Sequence, residues 1–159
     1  PPPVLARHRF PEDWRILLVT PDTGAGAHGG REVDIFRAHC PVPLDEVREV
    51  CHEVLMRMIP GLVEHDLDLF GSAINRTQCL GFKKVEVALQ HPVVPSLLEA
   101  MVQAGAACAG LSSFGPTVYA VGDTGMADVT RAAKEVLGDR GGSVTLTRAR
   151  NCGASMRAG

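Results

Sequence analysis

The residues best suited to chemistry are the small hydroxyl and glycine residues of the segment SSFGPT, residues 112–117. Two short apolar runs flank it, residues 106–111 and 117–121, and they carry the valine and tyrosine typical of buried strands. Glycine and proline between such runs indicate a tight turn. A turn of this kind can direct backbone N–H groups at one point, where they bind phosphate or another anion. We therefore interpret residues 112–117, the serine turn, as a candidate anion site.

The same pattern also fits a plain hairpin, because serine hydroxyls in turns often bond their own backbone. Phe114 favours the functional interpretation, since a polar side chain would be less costly at a turn tip. Gly115 is expected either to allow close approach of the backbone or to adopt a positive φ. The residues expected to bind substrate or phosphate are Gly110, Ser112, Ser113, Phe114, Gly115 and Thr117.

The elements that position this turn are predicted from hydrophobic periodicity. Strands are predicted at residues 15–20, 107–111, 117–121 and 143–147. With additional helices set aside, the order is β-α-β-β-α-β, the ferredoxin-like split βαβ. The predicted fold class is therefore α+β, a ferredoxin-like sandwich with an antiparallel four-stranded sheet and helices on one face.

Five helices are predicted, at residues 32–39, 44–59, 66–78, 95–103 and 125–137. The second has the clearest apolar stripe, and Pro60-Gly61 is expected to stop or kink it. The polar residues Asn75, Arg76 and Gln78 fit a solvated helix end, with a site as the less favoured alternative. Residues 83–86 are predicted to be less regular.

Two further segments carry candidate ligand-binding residues. The glycine-rich loop at residues 22–31 offers His28 and Arg31 to a ligand, and it fits a mobile surface loop equally well. The tail carries Arg148, Arg150 and Arg157. Such arginines are usually solvated, although they could also meet phosphate or a partner subunit.

Charge and composition exclude several classes of protein. The net charge of −2 implies no general attraction to nucleic acid or to an anionic membrane, and the apolar runs are too short to span one. The five cysteines form no Cys-x-x-Cys pair, so a zinc site is unsupported and no metal ligand is identified. We expect reduced, mostly buried thiols in a cytoplasmic protein.

The segment LSSFGPTVYAV resembles the C-terminal glycine/serine motif of the GHMP kinase superfamily. The residues of this segment are most similar to those of one branch, the archaeal β-ribofuranosylaminobenzene 5′-phosphate (β-RFAP) synthases of methanopterin biosynthesis. The resemblance extends over nearly the whole chain, from PPP…FPEDWRILLV through CPVPLDEVREVCHEVLMRMIPGLVEHDLDLFGSAI to Arg150-Asn151-x-Gly153-Ala154. The ferredoxin-like pattern found above agrees with the C-terminal domain of that superfamily.

The resemblance implies a pentosyltransferase that joins phosphoribosyl pyrophosphate to 4-aminobenzoate or 4-hydroxybenzoate and releases CO2 and pyrophosphate. It also implies Mg²⁺, and it suggests that Phe114 packs on the aromatic ring of the acid. Two alternatives stay open: an ATP-dependent GHMP small-molecule kinase, and a non-catalytic dimerisation module. A homodimer is compatible with all three.

The superfamily's P-x-x-x-G-L-x-S-S phosphate loop does not occur in this sequence. We therefore expect residues 1–13 to be an extended linker from a missing N-terminal domain, and residues 14–159 to form the C-terminal domain. That N-terminal domain would be an obligatory partner, so the chain alone is expected to fold without catalysing the reaction.

Overall fold

A computed structural model describes residues 3–24 and 26–156 of the chain. Within them the strands are β1 (Arg15–Pro21), β2 (Cys108–Leu111), β3 (Val118–Gly122) and β4 (Gly142–Thr147). They form one sheet in the order β2-β3-β1-β4, and every neighbouring pair is antiparallel. The predicted α+β fold and its ferredoxin-like strand order are confirmed, and all four strands lie within one residue of the predicted bounds.

The helices are α1 (Gly30–His39), α2 (Leu44–His52), α3 (Ile59–Glu64), α4 (Leu67–Thr77), α5 (Gly81–Ala88), α6 (Val93–Gln103) and α7 (Met126–Leu137). A π-helical segment (Glu53–Met58) joins the second to the third, and a short 3-10 turn (Gly138–Arg140) follows the last. α6 and α7 occupy the two helix positions of the split βαβ pattern. The other five helices are therefore an insertion between β1 and α6.

Helices cover both faces of the sheet, so the prediction that they pack on one face is wrong. α6 and α7 pack on the face that carries Leu17 and Val118. α4 packs on the opposite face, where Phe70 lies in one cluster with Cys108 and Val121. The strand residues are apolar on both sides, and all four residues of β2 are buried. A strand with two apolar faces needs a covering layer on each.

The helical conformation does not end at Pro60. It continues from α2 through the π-helical segment to Glu64. In that segment the N–H of Ile59 bonds to the carbonyl of Val54, five residues earlier. The i→i−4 hydrogen-bond pattern of an α-helix is already interrupted there. The missing N–H of Pro60 therefore removes no α-helical hydrogen bond. His65, in the left-handed conformation with φ 58°, ends the path.

Two other expectations from the sequence are wrong. Residues 83–86 belong to α5 rather than to an irregular stretch. The cysteines are mostly exposed: only Cys108 is buried. The apolar stripe of the second predicted helix is largely uncovered, since Leu44 and Leu55 are 61% and 60% exposed. No helix among the described residues is both long and apolar enough to cross a bilayer.

Polar side chains of α4 bond the free edge of β2. The Asn75 amide donates to the carbonyl of Ala107 and accepts from the N–H of Ala109, both at 3.0 Å. The side-chain oxygen Oε1 of Gln78 accepts from the N–H of Leu111 at 2.9 Å. These bonds satisfy edge groups that would otherwise need water or another strand. Asn75 and Gln78, interpreted from the sequence as part of a solvated helix end, are therefore contacts to the sheet, whereas Arg76 pairs with Glu49 in an exposed ion pair.

Replacing Asn75 with alanine is expected to lower the free energy of unfolding by about 1–3 kcal/mol, because two edge groups lose their partner. Urea denaturation measures this. Arg76→Ala is the matched control on the same helix. Its ion pair with Glu49 is exposed and contributes at most about 1 kcal/mol. Equal losses in the two variants would contradict the edge-bonding role of Asn75.

Candidate functional site

The serine turn is a closed turn between β2 and β3. The N–H of Gly115 donates to the carbonyl of Ser112 at 2.8 Å, and the N–H of Ser112 donates to the carbonyl of Thr117 at 2.9 Å. Gly115 has the expected positive φ, 65°, and Ser113 also has a positive φ, 47°. The turn therefore uses two of its own N–H groups internally, and these two are not available to an anion.

The serine hydroxyls differ from the threonine hydroxyl of the same turn. Ser112 and Ser113 are exposed, and within the described residues neither hydroxyl has a hydrogen-bond partner. Thr117 is engaged, since its Oγ1 lies 2.9 Å from Oγ1 of Thr20 at the end of β1. The plain-hairpin alternative requires serine hydroxyls bonded to their own backbone, and that arrangement is not found.

Because its hydroxyl supports no contact in the fold, Ser112→Ala is expected to change the free energy of unfolding by less than about 0.5 kcal/mol. Ser72→Ala is the comparison. The Ser72 hydroxyl accepts from Arg57 at 2.8 Å and donates to the carbonyl of Leu69 at 3.0 Å. Its loss should cost about 0.5–1.5 kcal/mol. Chemical denaturation of both variants tests the contrast, and a loss in Ser112→Ala as large as that in Ser72→Ala would restore the plain-hairpin interpretation.

Phe114 is buried, with 4% of its surface exposed, and it belongs to an aromatic cluster. The rings of Phe36 and Phe82 stack at 4.3 Å, and Phe114 meets both edge-on at 6.0 and 5.8 Å. This cluster joins α1, α5 and the serine turn. Phe114 thus holds the turn in place as well as lining the cavity described next.

The glycine-rich loop lies directly against the serine turn. A Cβ atom on Gly26 would overlap the carbonyl oxygens of Phe114 and Gly115, so only glycine allows this approach. One residue of the loop, Ala25, lies outside the described residues. The exposed His28 ring contacts the carbonyl of Gly26 through Nδ1 at 3.0 Å, and it does not line the cavity.

Between the loop and the turn lies a cavity of about 170 Å³. Polar atoms make up most of its exposed lining, and apolar side chains contribute the smaller part. The lining residues are Thr23, Gly24, Gly26, Ala27, Arg31, Ile35, Leu89, Gln90, His91, Phe114 and Pro116. A cavity of about 150 Å³ is enough to hold benzene. The size and the lining fit one aromatic ring that carries an anionic group, with Arg31 as the cationic partner.

Three residues near the turn were not singled out from the sequence. Gln90 donates through Nε2 to the carbonyl of Phe114 at 3.1 Å. His91 accepts from the N–H of Val93 through Nδ1 at 3.2 Å, and its Nε2 lies 3.5 Å from Nη1 of Arg140. Lys83 donates to the carbonyls of Leu111 and Ser113 at 3.3 and 3.4 Å and pairs with Glu86. The sequence feature that could have identified two of them is that Gln90 and His91 form an adjacent polar pair between two apolar segments.

Gly110 belongs to the fold rather than to the cavity. A Cβ there would overlap the ring of Tyr119 on the neighbouring strand. Burial raises the pKa of the adjacent Cys108 thiol to about 12. Burial, and secondarily the charge of Cys108, raises the pKa of Tyr119 to about 12. Both groups are therefore neutral near pH 7, so Cys108 is not an activated nucleophile.

No cluster of metal-ligating side chains is found among the described residues. Among residues 3–24 and 26–156 no group of three histidine, cysteine, aspartate or glutamate side chains converges. Mg²⁺ is commonly held by one or two carboxylates together with substrate phosphates and water, and such a site does not need a cluster of three. The Mg²⁺ that the resemblance implied stays an expectation.

Comparison with protein families and curated proteins gives consistent matches. Residues 58–138 match the family model described as GHMP kinases C terminal. A β-ribofuranosylphenol 5′-phosphate synthase of Methanothermobacter thermautotrophicus is 43% identical over 98% of this chain and 47% of its own length. The synthase of the same name from Methanocaldococcus jannaschii is 45% identical over 96% of this chain and 45% of its own. The chain spans about half the length of these relatives.

Solved structures show the same fold at low identity. A homoserine kinase of Cytophaga hutchinsonii superposes with a TM-score of 0.75 at 17% identity, over 92% of this chain and 45% of that one. An L. major mevalonate kinase gives a TM-score of 0.66 at 18% identity, over 89% of this chain and 44% of that one. These likenesses concern the fold alone.

Proposed function

The chain belongs to the GHMP kinase C-terminal family, and from that premise we propose that it is the C-terminal half of a β-RFAP synthase. The reaction joins phosphoribosyl pyrophosphate to 4-hydroxybenzoate or 4-aminobenzoate. The observation that carries the proposal is the identity of over 40% with synthases along almost the entire chain. The remaining half of the longer protein would supply the rest of the active site.

In the proposed reaction, the ring carbon that bears the carboxylate forms a bond to C1 of the ribose. The bond between C1 and the pyrophosphate oxygen breaks, and pyrophosphate leaves with that electron pair. The carboxyl group then leaves as CO2, and the electrons of its bond restore the aromatic ring. No oxidant or reductant is needed, so the enzyme must chiefly hold two substrates in register and exclude water.

The cavity suits the aryl acid in this scheme. Its apolar walls, which include Ile35, Leu89 and Phe114, accept the ring, and Arg31 orients the carboxylate. Ser112 and Ser113 do not line the cavity, but they directly precede Phe114, which does, and no described residue engages their hydroxyls. We assign them to phosphate oxygens of the second substrate. Phe114 then packs on the acid from within its own aromatic cluster.

The test uses a chimaera in which this chain replaces the segment that it matches in the M. thermautotrophicus relative. The chimaera is supplied with phosphoribosyl pyrophosphate and carboxyl-labelled 4-hydroxybenzoate or 4-aminobenzoate. We expect labelled CO2 and pyrophosphate in equal amounts. The 159-residue chain alone is the control and is expected to release neither.

Two outcomes would contradict the proposal. One is formation of ADP from ATP without labelled CO2, which would identify a small-molecule kinase. The other is turnover by the 159-residue chain alone, which would show that the reaction needs no second half.

A further inference from the structure

A second cationic site lies where the two ends of the described chain meet. Asn151 joins them, because its side chain accepts from the N–H of Phe10 and donates to the carbonyl of Phe10, both at 2.9 Å. Phe10 in turn meets the rings of Trp14 and Phe70 edge-on, at 5.4 and 5.8 Å. The two hydrogen bonds between Asn151 and Phe10, which we call the clamp, thereby hold two irregular segments on the core. Arg9 and Arg150 are the chain neighbours of the two clamp residues.

The clamp forms one wall of a hollow of about 500 Å³, which we call the terminal arginine site. It is lined by Arg7, His8, Arg9, Arg150, Asn151, Cys152 and Gly153. Three arginines and one histidine are among its lining residues, and the lining contains no carboxylate. In a chain with a net charge of −2, such a concentration of positive charge is not an effect of composition.

The internal partners of these arginines leave most of the charge uncompensated. Arg9 pairs with Glu12 at 2.9 Å in an exposed ion pair. Arg150 donates to Cys152 Sγ at 3.1 Å and to Ser155 Oγ at 3.2 Å, and neither partner is a carboxylate. Arg7 has no ion pair within the described residues. Like charges held close together repel unless an anion is bound between them.

The neighbouring surface continues the positive charge. Arg15 and Arg148 line an adjoining hollow with Leu146 and Thr147, again without a carboxylate. Arg15 begins β1, and Thr147 ends β4 opposite Ile16, so both arginines lie at one end of the sheet. The positive surface therefore extends beyond one pocket.

This end of the sheet is the one opposite the serine turn. Thr20, near the other end of β1, contacts Thr117 of that turn. The seven residues of β1 separate the two ends by about 20 Å, at roughly 3.3 Å per residue. A small anion bound at the terminal arginine site is therefore not in contact with the aryl acid cavity.

We propose that the terminal arginine site binds the diphosphate group of a small-molecule ligand. Guanidinium groups bind phosphate oxygens in bidentate pairs, and three of them match an anion with several charges better than one with a single charge. A hollow of this size also has room for two linked phosphate groups together with bound water. The proposal concerns binding alone and is independent of the reaction proposed above.

Isothermal titration of the 159-residue chain with inorganic pyrophosphate, at constant ionic strength, tests this proposal. We expect Arg7→Gln and Arg150→Gln each to raise the Kd by about tenfold, the effect of losing one charge-assisted hydrogen bond. Arg150→Lys keeps the charge and should lose less. Arg131→Gln is the control, since Arg131 lies on α7 and pairs with Asp128. Arg48→Gln is a second control and should leave pyrophosphate affinity unchanged, because Arg48 is exposed on α2 and pairs with Asp45.

Titration with ADP identifies the source of the diphosphate. Tighter binding of ADP than of pyrophosphate would indicate a nucleoside diphosphate, whereas equal or weaker binding would indicate pyrophosphate itself. The proposal is overturned if pyrophosphate does not bind, if inorganic phosphate binds equally well, or if a single-stranded oligonucleotide binds more tightly. It is also overturned if Arg131→Gln or Arg48→Gln weakens binding as much as Arg150→Gln. Thermal melts of each variant show whether the fold is retained. Arg7 lies in an irregular segment, so the Kd of Arg7→Gln still tests the proposal if Arg150→Gln unfolds.

Discussion

Replacing Arg31 with glutamine in the active chimaera is expected to lower kcat/KM for the aryl acid by about 10- to 100-fold. The estimate follows from the loss of one hydrogen bond to a charged group, about 1.5–3 kcal/mol. Arg31 lines the cavity at the start of α1, and it has no ion pair within the described part of the chain. Its charge is therefore free for the carboxylate of the acid.

Steady-state kinetics with the aryl acid as the varied substrate measures this effect. If Arg31 mainly binds the acid in the ground state, the change should appear in KM with little change in kcat. Arg37→Gln is the matched control on the same helix, since Arg37 is exposed and pairs with Asp34 at 3.4 Å. An unchanged kcat/KM in Arg31→Gln, or an equal loss in Arg37→Gln, would exclude Arg31 from the site.

Replacing Gly115 with valine is expected to destabilise the protein by about 2–5 kcal/mol. A positive φ costs an ordinary residue about 1–2 kcal/mol, and valine more than most. In addition, a Cβ would lie 2.6 Å from Oε1 of Gln90 and 2.8 Å from Cδ1 of Leu111. Both atoms are the far ends of flexible side chains that can move aside, so this overlap adds at most about 1–2 kcal/mol.

Two control variants separate these contributions in urea denaturation. Gly24→Val places valine at φ 85° with nothing within 4 Å, so it reports backbone strain alone. Gly30→Val has neither a positive φ nor a neighbouring atom within 4 Å and should change stability little. If the free energy of unfolding of Gly115→Val equals or exceeds that of Gly24→Val, the close packing of the serine turn against Gln90 is contradicted.

The sheet was predictable from the sequence because its strands are marked locally. Residues 14–20 and 117–121 are apolar runs bounded by proline or glycine, and the observed β1 and β3 follow them closely. The faces were harder to assign, because a run that is apolar on both sides does not show which helix covers which side. The covering of the second face depends on α4, which is separated from β2 by two further helices.

Helix α5 and the edge contacts were missed for a similar reason. Glu86 interrupts the apolar pattern of α5, yet it is buried because Lys83 pairs with it one turn away. Asn75 is a polar residue near a helix end, and its two partners lie 32 and 34 residues further along the chain. Local periodicity contains no information about such partners.

The candidate site was predicted only in part. The serine turn and Arg31 were found from residue types that suit anion binding, and the structure brings Arg31 and Phe114 to one cavity. Gln90 and His91 were missed because they reach the cavity only through packing of α5 and α6. His28 and Gly110 were candidates by composition, and neither lines the cavity.

The most direct test of the proposed site is an NMR titration of the 159-residue chain with 4-hydroxybenzoate, since every lining residue of the cavity belongs to this chain. The account predicts the largest amide shifts at Gly26, Arg31, Gln90, His91 and Phe114, and their loss in Arg31→Gln. Shifts concentrated at residues 7–9 and 148–153, or no saturable shift at the cavity, would contradict the assignment of the cavity to the aryl acid.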